Sequence, residues 1–205
     1  MTWRNPPPNI GTIQNAARGR PWRRPSPYMS TPRQVATTVA TSPQAFDTLQ
    51  FRDALGEFAT GVTIICARTG DGRYVGLTAN SFNSVSLDPP LVLWSLSRRS
   101  LSLPAFEAAE RYSVNVLSAA QTELARRFSR PHEDRFAGVG FRMGWADARL
   151  IDGCAAWFEC RHHTRHRAGD HMIFIGEVAT CERTKGRGLV FHHGRFGSVV
   201  PVPDP

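Results

Sequence analysis

Val62-Thr63-Ile64-Ile65-Cys66-Ala67, then Thr69-Gly70-Asp71-Gly72, then Tyr74-Val75-Gly76-Leu77-Thr78: the reading of this stretch decides the fold class. The first run is short, apolar and β-branched, which predicts a buried strand; the Thr-Gly-Asp-Gly segment is turn chemistry, and the third run is the return strand of a β-hairpin. Outward from it, Phe82 to Leu87 and Leu91 to Leu96 are strand candidates. Asp88-Pro89-Pro90 separates them, a turn because proline cannot donate to a ladder. Tyr112 to Leu117, Ala155 to Arg165, His171 to Arg183 and Leu189 to His193 continue the β pattern. Helices are fewer. Phe51, Ala54, Leu55 and Phe58 fall at i, i+3, i+4 and i+7, one apolar helix face that is expected to pack on the body of the protein. Leu101 to Arg111 and Ala119 to Phe128 are the other two, the latter opened by a capping box of Ser118 and Gln121. Gly138 to Asp152, rich in Gly, Asp and Arg, is expected to be a loop. Short, hairpin-connected strands that outnumber helices predict a mainly β (α+β) fold, an antiparallel split or closed β-barrel with peripheral helices rather than a doubly wound sheet.

The chain has 205 residues, 41% hydrophobic and 20% charged, which suits a single domain and excludes collagen-like, wholly disordered and disulfide-scaffold classes. Residues 1–44 hold few large aliphatic side chains and many Pro and Arg, so they are expected to form a disordered basic extension ahead of a domain at 45–205. Met29 is an alternative start, on which reading the first 28 residues would not be translated. The net charge of +8 is unevenly placed: Arg4, Arg18, Arg20, Arg23 and Arg24 fall before residue 29 with no acidic residue among them. The body is therefore only mildly basic, and neither nucleic acid nor membrane is expected as a partner. Cys66, Cys154, Cys160 and Cys181 form no CxxC pair and are expected to be reduced thiols of a cytoplasmic protein.

Two clusters could carry chemistry. Thr78, Asn80, Ser81, Ser84 and Ser86 place hydroxyls and an amide between apolar strands, where they need partners. A ligand with a phosphate and a planar heteroaromatic edge would supply them, as would water at an edge strand. Ser97-Arg98-Arg99-Ser100-Leu101-Ser102 lies between a strand and a helix start, a place that suits an anion or simply a capped helix with solvated charge.

The order of motifs resembles the flavin reductase-like proteins of the FMN-binding split barrel, the reductase components of two-component flavin-dependent monooxygenases. The resemblance runs through Phe58-Ala59-Thr60-Gly61-Val62-Thr63, Gly76-Leu77-Thr78-Ala79-Asn80-Ser81-Phe82 and Ser84-Val85-Ser86-Leu87-Asp88-Pro89-Pro90. It continues through Tyr112-Ser113-Val114-Asn115-Val116-Leu117, Asp134-Arg135-Phe136, Gly169-Asp170-His171 and Phe191-His192-His193-Gly194-Arg195-Phe196.

It implies a homodimeric split barrel with FMN or FAD near the dimer interface. Thr78, Ala79, Asn80 and Ser81 would line the flavin, Ser100 and Ser102 would hold its phosphate, and His171, Arg195 and Phe196 would meet the nicotinamide of NADH or NADPH. His171 would be the catalytic position. The implied function is an NAD(P)H-dependent flavin reductase feeding a monooxygenase, with a non-catalytic flavin-binding module as the alternative. The chain departs from the family at Ser97 and Arg99, where relatives carry an acidic residue and a serine, and at Phe196, where tyrosine is frequent. Cys160, His162 and His166 would share one strand face, but no second pair completes a metal site, and none is expected.

Overall fold

The computed structural model describes residues 45–130 and 134–202; the extension expected at 1–44 lies outside them. The chain runs α1 (Thr48–Gly56), β1 (Thr60–Gly61), β2 (Thr63–Arg68), β3 (Tyr74–Ala79), β4 (Asn83–Leu87), β5 (Pro90–Ser97), α2 (Leu103–Ala108) and β6 (Arg111–Val116). A 3-10 turn at Ala119–Gln121 leads into α3 (Thr122–Ser129). There follow β7 (Phe141–Met143), β8 (Arg149–Ile151), β9 (Ala156–Ala168), β10 (His171–Arg183), β11 (Leu189–His192) and β12 (Arg195–Ser198).

Seven strands make the main sheet in the order β3-β2-β6-β9-β10-β5-β4, each pair antiparallel. β3 and β4 are consecutive in sequence yet occupy opposite edges. Seven strands laid flat would separate those edges by about 29 Å. The four steps from Ala79 to Asn83 can reach only about 14 Å. The sheet must therefore curl until its edges meet, and the antiparallel split barrel expected from the sequence is the result. Ser81 fastens the junction: its hydroxyl donates to the carbonyl of Ser95 on β5 at 3.1 Å and accepts the Ser95 N–H at 2.9 Å.

The buried run of β2 shows why its sequence has no polar face. Ile65 and Ala67 enter the barrel core with Trp94, Phe106, Tyr112 and Phe174, where the Trp94 and Phe174 rings stack at 4.5 Å. Ile64 and Cys66 enter a second core under α3 with Leu117, Ala125, Phe128 and Leu189. Both faces of the strand are covered, so apolar residues follow one another without alternation. Asn115 on β6 ties the layers together. Its amide donates to the carbonyl of Ile64 at 3.0 Å and its carbonyl oxygen accepts the N–H of Ile151 at 2.8 Å.

Three expectations need correction. The stretch Gly138 to Asp152 contains the β7–β8 hairpin, whose three-residue strands are too short to show a period-two pattern. Among the described residues the apolar face expected for α1 is left uncovered: Phe51, Leu55 and Phe58 are 49%, 57% and 70% exposed, and the Phe51 ring meets only that of Phe46, at 5.4 Å. The shared face of Cys160, His162 and His166 is broken by a bulge, because Gly176 pairs with His162 and Ile175 with Thr164, leaving His163 as the extra residue. The capping box at Ser118 is as expected in one arm, Gln121 Oε1 accepting the Ser118 N–H at 2.9 Å.

Candidate functional site

Two adjoining cavities open beside the crossing from β3 to β4. One, of about 390 Å³, is lined by Thr78, Asn80, Arg126, Ser129, Arg130 and Phe196 among others. The second, of about 580 Å³, is lined by Thr78, Leu96, Arg99, Ser100, Ser102, Phe128, Ser129 and Arg135 among others. Thr78 and Ser129 belong to both, so the two form one trough running from the β11–β12 turn to the loop between β5 and α2. Four arginines, Arg99, Arg126, Arg130 and Arg135, contribute to its walls. A trough with apolar stretches, two hydroxyl clusters and this excess of positive charge suits a planar ligand carrying an anionic tail.

The sequence of the β3 edge follows from what packs beneath it. Gly76 lies under the edge-to-face pair of Phe128 and Phe136, and a Cβ there would come within 2.7 Å of Phe128 and 2.8 Å of Phe136. Thr78 is fixed by donating its hydroxyl to the Ala125 carbonyl of α3 at 2.7 Å. It retains an acceptor lone pair toward the trough. Asn80 is exposed and lines the trough beside Phe196. Ala79 and Ser81 are engaged elsewhere. The Ala79 side chain is in the core, its carbonyl accepting the Thr63 hydroxyl at 2.8 Å, and the Ser81 hydroxyl is spent on β5. Any contact from Ala79 would come from its backbone.

Ser100 and Ser102 line the same end of the trough, with Ser100 Oγ accepting the N–H of Ser102 at 3.3 Å. The helix that follows is only six residues long, so its dipole adds little, and the hydroxyls and Arg99 dominate the anion character of this loop. Arg135 closes the wall from Asp134-Arg135-Phe136, donating Nη1 to the Gly76 carbonyl at 2.8 Å and Nε to the Arg130 carbonyl at 3.0 Å.

His171 begins β10 opposite Ser97, at the same end of the barrel as the Ser100 loop. Its Nδ1 lies 2.7 Å from Asp170 Oδ1, which leaves Nε2 as the nitrogen for a ligand. The hydrogen bond and the charge of His171 hold the Asp170 carboxyl below the usual carboxylate range. Arg195 and Phe196 lie at the other end: Arg195 lines a cavity of about 560 Å³ with His192, His193 and Gly197, and Phe196 reaches both that cavity and the trough. His171 lines none of these three cavities, so none of them joins it to Arg195 and Phe196. Sequence reasoning missed Arg126, Ser129 and Arg130. They close α3, where Ala125-Arg126-Arg127-Phe128-Ser129-Arg130 looks like an ordinary amphipathic helix end, and only the packing of α3 against β3 brings them to the cavity that Thr78 lines.

Residues 55–199 match the flavin reductase like domain family. The chain is 46% identical over 147 residues to the FMN reductase (NADH) SmoA of Agrobacterium fabrum, covering 72% of this chain and 83% of that one. It is 40% identical over 147 residues to the reductase component of the flavin-dependent trigonelline monooxygenase of Acinetobacter baylyi, covering 72% of this chain and 47% of that protein. It thus spans about half the length of that relative, and 49% of a Rhizobium meliloti relative to which it is 44% identical. Among solved structures, the NADH:FAD oxidoreductase SgcE6 of Streptomyces globisporus, in complex with NAD and FAD fragments, superposes with a TM-score of 0.73 at 39% identity. That match covers 77% of this chain and 96% of the other.

Proposed function

Because this chain belongs to the flavin reductase like domain family, we propose that it is an NAD(P)H-dependent flavin reductase that reduces FMN or FAD and supplies the product to a partner monooxygenase. The observation that carries the reading is the trough itself: hydroxyls and arginines at Ser100, Ser102 and Arg99, and a wall of Thr78, Asn80 and Phe196 farther along. These residues fit a flavin nucleotide, since they match an anionic phosphate at one end and leave a slot beside the β3 edge for a flat ring. When bound, the flavin supplies the hydride-accepting chemistry.

The chain's contribution is binding and orientation. Ser100, Ser102 and Arg99 hold the phosphate. Thr78 and Asn80 fix the ring edge, while Ala79 contributes backbone and Ser81 keeps the crossing segment in place. Phe196 covers one face and limits water, Arg195 pairs with the acidic part of the nicotinamide nucleotide, and His171 presents Nε2 to its carboxamide. No nucleophile or strong general base is required, because the reaction depends on stacking two rings at contact distance.

Because none of the cavities described above joins His171 to Arg195, we take the full nicotinamide site to form in a homodimer. The exposed face of Phe51 and Leu55 on α1, with Phe58 just beyond it, is an apolar surface that would suit a second copy. Four unpaired cysteines suit the reducing cytoplasm. No described helix is long and apolar enough to cross a membrane.

The test is the oxidation of NADH and NADPH by purified protein with FMN or FAD added. Consumption that depends on added flavin supports the proposal; none with any of the four combinations overturns it. Tight flavin binding without turnover would select the non-catalytic module instead. His171→Ala should slow nicotinamide oxidation far more than it weakens flavin binding, and an equal loss of both would remove His171 from its assigned role.

A further inference from the structure

The turn joining β11 to β12 carries a side-chain cluster, Glu57, His192 and His193, to which the proposed function assigns no role. His192 and Arg195 pair across it, which leaves His193 and Gly194 as a two-residue loop, both with positive φ, 48° and 71°. This is the backbone of a type I′ turn, where Asn, Asp or Gly ordinarily stands at the first position. Histidine there has a structural consequence. Neighbouring side chains on a strand point to opposite faces, but the left-handed residue swings the second ring back beside the first. The rings of His192 and His193 lie edge to face with centroids 4.8 Å apart.

Both face Glu57, the residue that ends α1. Glu57 offers one carboxylate oxygen to each ring: Oε1 lies 2.7 Å from His193 Nε2, and Oε2 lies 3.9 Å from His192 Nε2. The His193 N–H donates to the Gly56 carbonyl at 3.1 Å, so the turn and the helix end are already joined by backbone. All three side chains are exposed, and their ligating atoms lie within 4.8 Å of one another.

We propose that Glu57, His192 and His193 form a binding site for a divalent transition cation of the zinc type. Two imidazoles and a carboxylate are ligands that such ions favour, whereas calcium and magnesium prefer all-oxygen shells. Metal–nitrogen distances near 2.05 Å in a tetrahedron put neighbouring ligand atoms about 3.3 Å apart. The 2.7 and 3.9 Å separations straddle that value and the three ligand atoms lie within 4.8 Å of one another, so side-chain rotations would admit the ion, with water as the fourth ligand. Arg195 lines the same cavity and its charge opposes that of a cation, so binding is expected to be weaker than at closed structural sites. The proposal does not depend on the reductase reading.

The experiment is calorimetric titration of zinc sulfate into the full chain, stripped of tags and pretreated with a chelator. Two variants remove ligands, His193→Ala and Glu57→Gln. Two more, Cys181→Ser and His166→Ala, remove other exposed groups that bind zinc. One saturable equivalent is expected, weakened about tenfold or more by each ligand variant and unchanged by the other two. Cobalt(II) in place of zinc should show visible bands without sulfur-to-metal charge transfer. Absence of saturable binding up to millimolar zinc overturns the site. So does affinity that survives in Glu57→Gln, a conservative exposed change that keeps the fold even if His193→Ala does not, or affinity lost with Cys181→Ser or His166→Ala.

Discussion

Replacing Ser81 by alanine separates two roles that a hydroxyl beside a ligand trough could have. The Ser81 Oγ makes two hydrogen bonds to the backbone of Ser95, accepting its N–H at 2.9 Å and donating to its carbonyl at 3.1 Å. Alanine removes both and leaves a strand N–H and C=O without those partners at the seam where the barrel edges meet. Each net hydrogen bond is worth about 1 kcal/mol, and an unsatisfied buried group costs about 1–3 kcal/mol. The site is half-buried, so water recovers part of this, and a loss of about 2 kcal/mol is expected. For a domain of this size that lowers Tm by about 4–8 °C. Thermal and urea unfolding should show the loss with no ligand present, and flavin affinity should fall together with it. If Ser81→Ala leaves unfolding unchanged while flavin binding collapses, the hydroxyl serves the ligand directly and the clasp described above is wrong.

Gly176→Ala should be more severe, because a Cβ there would sit 2.0 Å from the Tyr112 hydroxyl and 2.8 Å from its ring; a loss of about 3 kcal/mol is expected in denaturant titration. Arg99→Ala and Arg126→Ala should each weaken FMN binding about tenfold, with a shallower salt dependence than the parent, as read by fluorescence quenching at several ionic strengths. Burial pushes the Cys154 and Cys160 thiols up to about 12 and raises Cys66 further still, so none of the three should react with a disulfide reagent at pH 8 in the folded protein. Exposed Cys181 should react at once, giving one thiol when folded and four in denaturant.

Strands were legible wherever burial imposes a pattern. β10, expected over His171 to Arg183, has those bounds, and the β2–β3 hairpin is as its turn chemistry predicts. The β7–β8 hairpin was not legible, because strands of three residues carry no period and Gly144 and Asp147 look like loop. The exposed face of α1 shows the opposite limit: spacing reveals that a face is apolar, not whether the same chain covers it. At the trough, the motif around Thr78 was visible as polar residues in an apolar setting. Sequence does not show which of those hydroxyls the protein keeps for itself, since that depends on Ala125 and Ser95 arriving from distant elements. Arg126 and Arg130 were hidden for the same reason.

The crossing from Ala79 to Asn83 has a mechanical consequence. Four residue steps join opposite edges of the sheet, so this segment limits the girth of the cylinder, and Asn80 within it lines the trough proposed to hold the flavin. On the proposed function, a flavin held against Thr78 and Asn80 would bear on the hoop that keeps the wall shut, and a single residue inserted at this point would loosen grip and girth together.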